Sequence, residues 1–436
     1  MKVLILAAGR GSRLHEITKR KPKPAIEICG VPLILRNFFI LRKLNAEVIV
    51  VVGYKAEIIE GIFEKEGISD VEFVRNDDLE RGNAYSALCA KSALKHENKF
   101  VVLMGDHIFS ESFLRETLRK AEEVEGNYAI VCSKNDFIDE GEATKILAKD
   151  GEVQEIGKNL SEWTHIDTGA FICTNEIFDI LEEIFRKKRE VAWSDVVRAA
   201  KMKIHEINDF WMDIDTIDDL KRAEKALLKQ LIKEDDGIIS KNINRKISLR
   251  ISSYLSSFNI DPNAISLASF SLSIAASFLF LLHSYILAGI LAQISSIIDG
   301  VDGEIARLKF RTTKFGGFFD AVLDRYADFI LLSCIFLSLP FNIFDFLAFL
   351  FAISGSSLVS YTASKFKETF GERAEHFERF SSFIPAKRDE RTFLIFIFSI
   401  LAALDMIFIR VLLISLAILT NLRVIMRIMI AKNLKD

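Results

Sequence analysis

No Cys-x-x-Cys pair occurs in the 436 residues, and the five cysteines, Cys29, Cys89, Cys132, Cys173 and Cys334, are scattered. That spacing argues against a zinc site or a disulfide frame and fits reduced thiols in a cytosolic setting. An excess of one charge is also lacking. The formal net charge is -3, so no polyelectrolyte partner, nucleic acid included, is implied. The apolar stretch at the N-terminus is too brief for a secretory leader and leads directly into Gly9-Arg10-Gly11-Ser12-Arg13; it is expected to be a buried strand. Membrane-length apolar runs are absent up to about Asp236 and dominate beyond Asn263. The chain is therefore expected to hold a soluble domain over 1–232, a linker with a basic amphipathic helix over 233–260, and a transmembrane domain over 261–436.

Two common phosphate loops are missing from the soluble half. A Walker loop needs Gly-Lys-Ser/Thr, which does not occur after Gly9. The dinucleotide fingerprint needs a third glycine where Leu14 stands. The first apolar run leads instead into Leu6-Ala7-Ala8-Gly9-Arg10-Gly11-Ser12-Arg13. Its glycines let backbone N–H groups approach a phosphate chain, and Arg13 adds a fixed cation. Farther along stands Pro22-Lys23-Pro24, where two prolines stiffen the backbone around one projecting lysine.

These pieces together resemble the nucleotidyltransferase family that activates sugar phosphates with nucleoside triphosphates. The resemblance implies a doubly wound α/β (Rossmann-like) fold over about residues 1 to 230. Further strands are expected at Glu47 to Gly53, Val71 to Val74 and Phe100 to Met104. Gly82 and Asn83 stand where the family reads the base. Asp106, at the end of an apolar strand, points into the crevice where such sheets bind ligands and resembles the family's metal aspartate. Asp167 to Phe171 matches its sugar-side strand. Asp213 and Asp215 alternate along Trp211 to Thr216 and face one side; Asp213 is favoured as the second metal ligand. Asp215 is held in reserve and expected to cap a helix from Ile217 to Lys229. Arg13 and Lys23 would then hold the triphosphate.

The second half is organised around Asp299-Gly-Val-Asp302-Gly303-Glu-Ile-Ala-Arg307, eight residues, then Gly316-Gly-Phe-Phe-Asp320-Ala-Val-Leu-Asp324. On helices, Asp299 and Asp302 share one face, as do Asp320 and Asp324. Carboxylates bordering membrane-length apolar runs are costly and point to function. Four converging from two helices would make an oxygen-rich site for Mg2+ or Mn2+. The stretch matches every fixed position of the CDP-alcohol phosphotransferase signature. That resemblance implies that Asp299, Asp302, Asp320 and Asp324 hold metals clamping the diphosphate of a CDP-linked donor. Gly303 and Arg307 would lie against the nucleotide, and Asp324 would be the general base. Asn263 and Ser266 resemble the family's CMP-contacting element, with helix capping by Asn263 as the plain alternative. Lys365 and Lys367, in an expected loop, and Arg388 and Arg391 beyond it are candidate acceptor contacts.

Six spans are expected, at 264–283, 284–304, 318–339, 342–361, 392–409 and 410–430, with Asp405 and Arg410 interrupting the last two. Basic residues cluster before the first, after the second, after the fourth and after the sixth, which places both termini and the acidic cluster on the cytoplasmic side. Lys241, Arg245, Lys246 and Arg250, among isoleucines and leucines of Gly237 to Phe258, read as a helix lying on an anionic leaflet. A transporter would call for two matching halves, and the Asp299 to Asp324 pattern is not repeated. A nucleotidyltransferase fused to an enzyme that consumes a CDP-linked alcohol most economically makes that donor, which selects CTP. The combination resembles the bifunctional family of di-myo-inositol phosphate synthesis. The resemblance implies Mg2+ or Mn2+ in both sites, CTP and inositol 1-phosphate as substrates, CDP-inositol as intermediate, and a cell-membrane homodimer formed through the transmembrane part. Another polyol phosphate, or a lipid alcohol as acceptor, is the alternative.

Overall fold

The computed structural model describes residues 1–11, 19–133, 141, 143–232, 236–372, 374–378 and 384–434. Chain contacts divide it into two compact units, Met1–Ala226 and Leu227–Asp436. The division falls inside the helix at Ile217–Gln230, a few residues before the expected boundary.

The first unit is built on a nine-stranded sheet. Its strands are β1 (Lys2–Leu6), β2 (Glu47–Val52), β3 (Val71–Arg75), β4 (Lys99–Met104), β5 (Tyr128–Cys132), β6 (Lys145–Lys149), β7 (Glu152–Gly157), β8 (His165–Thr174) and β9 (Lys203–Glu206), in the order β3-β2-β1-β4-β8-β5-β9-β7-β6. The segment β3-β2-β1-β4 is parallel, and β8 joins β4 antiparallel. Continuous apolar runs form the central strands because both faces are covered. Val3, Ile5, Val50 and Leu103 pack on one face against Phe38 of α1 (Leu33–Lys43), Phe63 of α2 (Ala56–Lys65) and Phe113 of α4 (Glu111–Glu123). Leu4, Leu6, Val51 and Val102 pack on the other with Ala87 of α3 (Asn83–Cys89), Leu181 of α5 (Glu176–Lys187) and Val196 of α6 (Trp193–Ala199). Each such valine, leucine, isoleucine or phenylalanine contributes about 1.5–3 kcal/mol by leaving water. The unit closes with α7 (Ile217–Gln230).

Thr216, not Asp215, caps α7. Thr216 Oγ1 accepts from Asp219 N at 3.2 Å, while Asp219 Oδ2 accepts from Thr216 N at 2.7 Å. Asp215 is drawn away because its Oδ1 accepts from Lys23 Nζ at 2.7 Å. An ammonium in reach is a stronger partner than a helix N–H.

The second unit comprises α8 (Arg245–Ser256), α9 (Pro262–Leu281), α10 (Tyr285–Leu308), α11 (Lys314–Leu337), α12 (Ile343–Phe370), α13 (Arg388–Leu401) and α14 (Ile407–Asn433). Four of them, α9, α10, α12 and α14, are long and apolar enough to cross a membrane. The other two expected spans differ. Lys314, Asp320, Asp324, Arg325 and Asp328 lie along α11. The 14 residues of α13 rise only about 21 Å, less than a hydrocarbon core of about 30 Å. The last two expected limits are also corrected: α13 ends at Leu401 and α14 begins at Ile407. Asp405 lies between them and its Oδ1 accepts from Ile407 N at 2.8 Å. Arg410 is compensated by Asp345 of α12 at 3.1 Å.

Three further points differ from the sequence in detail. Lys365 and Lys367 lie in the last turns of α12, which runs on to Phe370 before Gly371 in a left-handed conformation. The α9 cap is Asp261, whose Oδ1 accepts from Asn263 N at 3.0 Å; with proline at the first helical position, this leaves the Asn263 side chain to face a cavity. Finally, α8 turns Arg245, Ser248 and Ser252 inward, while Ile247, Tyr254, Lys246 and Arg250 stay exposed. The cause is Glu304 of α10, a fully buried carboxylate that needs donors and a counter-charge. Arg245 therefore does not lie free to meet lipid headgroups.

Candidate active sites

The first site forms where β1 and β4 end. The backbone after β1, Leu6 to Gly11, lines a cavity of roughly 420 Å3 together with Lys23, Gly82, Asn83 and Asp106. A second cavity of roughly 520 Å3 is lined by His107, Lys158, Asp167, Trp193 and Asp213, and it shares Gly11, Lys23, Asn83 and Asp106 with the first. Two ligands seated in these cavities would meet at Lys23 and Asp106. Ser12 and Arg13 lie outside the described residues.

Gly82 has φ +85°, and a Cβ there would stand 2.3 Å from Val191 O. Only glycine lets the chain pass so close in that conformation. Asn83 Oδ1 accepts from Trp193 N at 2.7 Å. The expected base-reading pair thus also ties the loop before α3 to the segment leading into α6.

Lys23 follows Pro22 and opens a single 3-10 turn with Pro24. Its Nζ lies 2.8 Å from Asp106, 2.7 Å from Asp215 and 3.3 Å from Asp213. Burial alone would pull the ammonium down, but the three carboxylates outweigh it and hold it well above the usual lysine range. Burial likewise opposes the Asp106 carboxylate, yet Lys23 and His107 hold it far below the ordinary value. Asp213 is shifted the other way, by burial and by the neighbouring Asp106 charge. Burial pushes Asp167 up to about 6, and the Gly169 N–H that it accepts offsets only part of this.

His107 was not among the expected site residues. Its Nδ1 lies 2.9 Å from Asp106 Oδ1, and its ring stacks on Trp211 with centroids 6.0 Å apart. One oxygen each of Asp106 and Asp213 and a ring nitrogen of His107 fit within 4.8 Å. The signal was its place directly after Asp106 at a strand end. Mixed carboxylate and imidazole donors fit a divalent cation.

The second site lies between α10 and α11. A cavity of roughly 720 Å3 is lined by Asn263, Ser266, Asp299, Asp302, Gly303, Arg307, Gly316 and Asp320. Oxygens of Asp299, Asp320 and Asp324 come within 4.8 Å of one another, an all-oxygen set that suits a hard cation. Asp302, the fourth of the expected quartet, lines the same cavity, and its two oxygens accept from Ser266 Oγ and the Gly303 N–H. Arg388, at the start of α13, reaches into the cluster. Its Nη1 lies 2.7 Å from both Asp299 and Asp324, and its Nε 3.5 Å from Asp328. Arg391 pairs with the same Asp328. The sequence placed both arginines near the site without assigning their partners.

Two family models match the chain: a MobA-like NTP transferase domain over residues 3–188 and a CDP-alcohol phosphatidyltransferase over residues 259–422. A "Bifunctional IPC transferase and DIPP synthase" of Archaeoglobus fulgidus is 40% identical over 408 residues, 93% of this chain and 79% of that protein. The chain belongs to this bifunctional family. The Aquifex aeolicus member is 38% identical over 429 residues, 98% of this chain and 96% of its own length. Among solved structures, the first unit is similar to the inositol-1-phosphate CTP transferase from T. maritima. That likeness has 26% identity and a TM-score of 0.45, and covers 51% of this chain and 93% of that one. Both halves of this family member thus carry enzyme sites, a nucleotidyltransferase in front and a CDP-alcohol phosphotransferase behind.

Proposed function

We propose that the chain makes and then consumes CDP-inositol. In the first unit, CMP passes from CTP to inositol 1-phosphate. A phosphate oxygen of the polyol attacks the α-phosphorus of CTP in line, a new P–O bond forms, and pyrophosphate leaves. In the second, a hydroxyl of another inositol 1-phosphate attacks the β-phosphorus of CDP-inositol. The P–O bond to CMP breaks, giving phosphorylated di-myo-inositol phosphate and CMP. The observation that carries this reading is the pairing of sites in one family member. Two cavities that meet at Lys23 and Asp106 suit a nucleotide and a polyol phosphate, and their product is the donor a CDP-alcohol phosphotransferase requires.

The residues divide the work by position. Lys23 neutralises charge growing on the triphosphate, a role in which a preorganised cation is most effective. The backbone of Leu6 to Gly11 cradles the phosphates, with Ser12 and Arg13 beside it in the sequence, and Gly82 and Asn83 face the base. In the second unit, Asn263, Ser266, Gly303 and Arg307 hold the CMP part of the donor. Asp324 takes the proton from the attacking hydroxyl. Asp106 and Asp213, with His107 beside them, and Asp299, Asp302, Asp320 and Asp324 are the residues that would hold Mg2+ or Mn2+. Such an ion neutralises phosphate oxygens and orients the attacking group.

We place α9, α10, α12 and α14 across the membrane, with α11 and the shorter α13 packed among them to complete the six-helix unit. Both termini and the first unit lie on the cytoplasmic side, as the basic loops indicate, and two copies pair through the helical unit. The test is to give purified protein CTP with a series of polyol phosphates and analyse the products. CDP-inositol and then the phosphodiester should form; CDP-glycerol without CDP-inositol would overturn the assignment.

A further inference from the structure

Arg245 stands in the segment that precedes the helical bundle, and it is turned inward. Its Nε donates to Asp236 Oδ2 at 2.8 Å and its Nη2 to Asp236 Oδ1 at 3.0 Å. Its Nη1 donates to Glu304 Oε1. Glu304 is fully buried on α10, between Gly303 and Arg307 of the signature. It also accepts from Ser248 Oγ and Ser252 Oγ, each at 2.6 Å. The same Nη1 passes close over Gly300, where a Cβ would stand 3.0 Å from it.

The same segment is fastened at a second point. Ser240 N donates to Asp389 Oδ2 at 2.8 Å and Ile238 N to Glu390 Oε1 at 3.3 Å. Those carboxylates open α13, immediately after Arg388. The segment over 236–245 is thus tied both to the helix bearing Asp299 and to the helix bearing the cation that meets it.

Arg245 lines the same cavity as Asp299, Asp302, Gly303 and Arg307. One planar guanidinium serves Asp236 and Glu304 at once, which an ammonium cannot do with the same geometry. Without it, Glu304 would be a buried carboxylate held by serines alone, and α10 would have to shift to relieve it.

We propose that Arg245 is a positioning residue for phosphotransfer. It fixes the wall of the donor cavity formed by Gly300, Gly303 and Arg307, and so makes the segment before the bundle a working part of the second site. This rests on the reading of that cavity as the CDP-inositol site.

The test uses full-length protein in detergent, supplied CDP-inositol, inositol 1-phosphate and Mg2+, with CMP release as the readout. Arg245→Met should raise KM for CDP-inositol at least tenfold with kcat within threefold of wild type. CTP-dependent CDP-inositol formation should not change. Arg245→Lys should fall between. Asp236→Asn keeps the Glu304 contact and should raise KM severalfold even if Arg245→Met does not fold. A purely structural role would lower the active fraction, and so kcat, with KM unmoved. That pattern, or a wild-type KM in Asp236→Asn and in every folded Arg245 variant, overturns the proposal. If wild type itself releases no CMP from CDP-inositol, the functional reading falls first and takes this one with it.

Discussion

Replacing Lys23 by methionine separates the two reactions most sharply. One ammonium, 6% exposed, serves Asp106, Asp213 and Asp215. Methionine keeps most of the side-chain bulk and removes the charge. The Asp106, Asp213 and Asp215 side chains are 37%, 35% and 15% exposed, so the stability cost should fall between the ~1 kcal/mol of an exposed pair and the about 3–5 kcal/mol of a buried one. The catalytic cost is read separately, in the rate of folded protein. Losing one preorganised group that stabilises transition-state charge typically costs about 2.7–4 kcal/mol, or on the order of 10²–10³ in rate. CDP-inositol formation from CTP and inositol 1-phosphate should fall by that factor, whereas CMP release from supplied CDP-inositol should not change. The vacated position should also let the carboxylates bind Mg2+ more tightly, measurable by calorimetry. A first reaction within fivefold of wild type would refute the role of Lys23. Equal loss of both reactions in folded protein would refute the separation of the sites.

Asp106→Ala should abolish CDP-inositol formation yet leave phosphotransfer intact, and Asp324→Asn should do the converse; either variant losing both activities while folded contradicts the two-site division. Gly82→Ala should weaken CTP binding at least tenfold, read as KM for CTP, because its Cβ would strike the Val191 carbonyl; an unchanged KM would mean the loop relaxes freely. Chelation should stop both reactions, with Mg2+ or Mn2+ restoring them; persistence of CMP release in chelator would exclude the cation role. Glu378 is held below the ordinary glutamate value: burial opposes its charge, but Arg427 and Arg423 more than offset it. Its stabilising effect is therefore complete above the unfolded pKa and is lost as pH falls through the lower folded one. Glu378→Gln should cost about 3–5 kcal/mol at neutral pH, since it leaves two buried arginines without their carboxylate. In thermal melts the gap from wild type should narrow well below pH 4.5.

The fold was legible where a pattern answers to one strong constraint. Strands covered on both faces need unbroken apolar runs, and β1, β2 and β4 show them within a residue of the structure. Membrane-length runs marked the presence of α9, α10, α12 and α14, though not where α12 ends. The features that escaped the sequence depend on partners far away along the chain. Local spacing reads Arg245 as one of several surface cations, and only Glu304, more than fifty residues on, draws Arg245, Ser248 and Ser252 inward. Asp215 looked like a helix cap because local rules see Thr216 and Ile217 but not Lys23, 192 residues away.

The same division runs through the sites. Spacing on a helix can say that Asp299 and Asp302 share a face, but not which distant donors each one meets. Asp302 accepts from Ser266 of α9, whereas Asp299 and Asp324 are met by Arg388 from another helix. Three like charges as close as those of Asp299, Asp320 and Asp324 cannot stay together without a compensating cation. The guanidinium supplies that charge here. If, as proposed, a divalent ion binds Asp299 and Asp324 together, Arg388 is the group that would have to give way, at least in part.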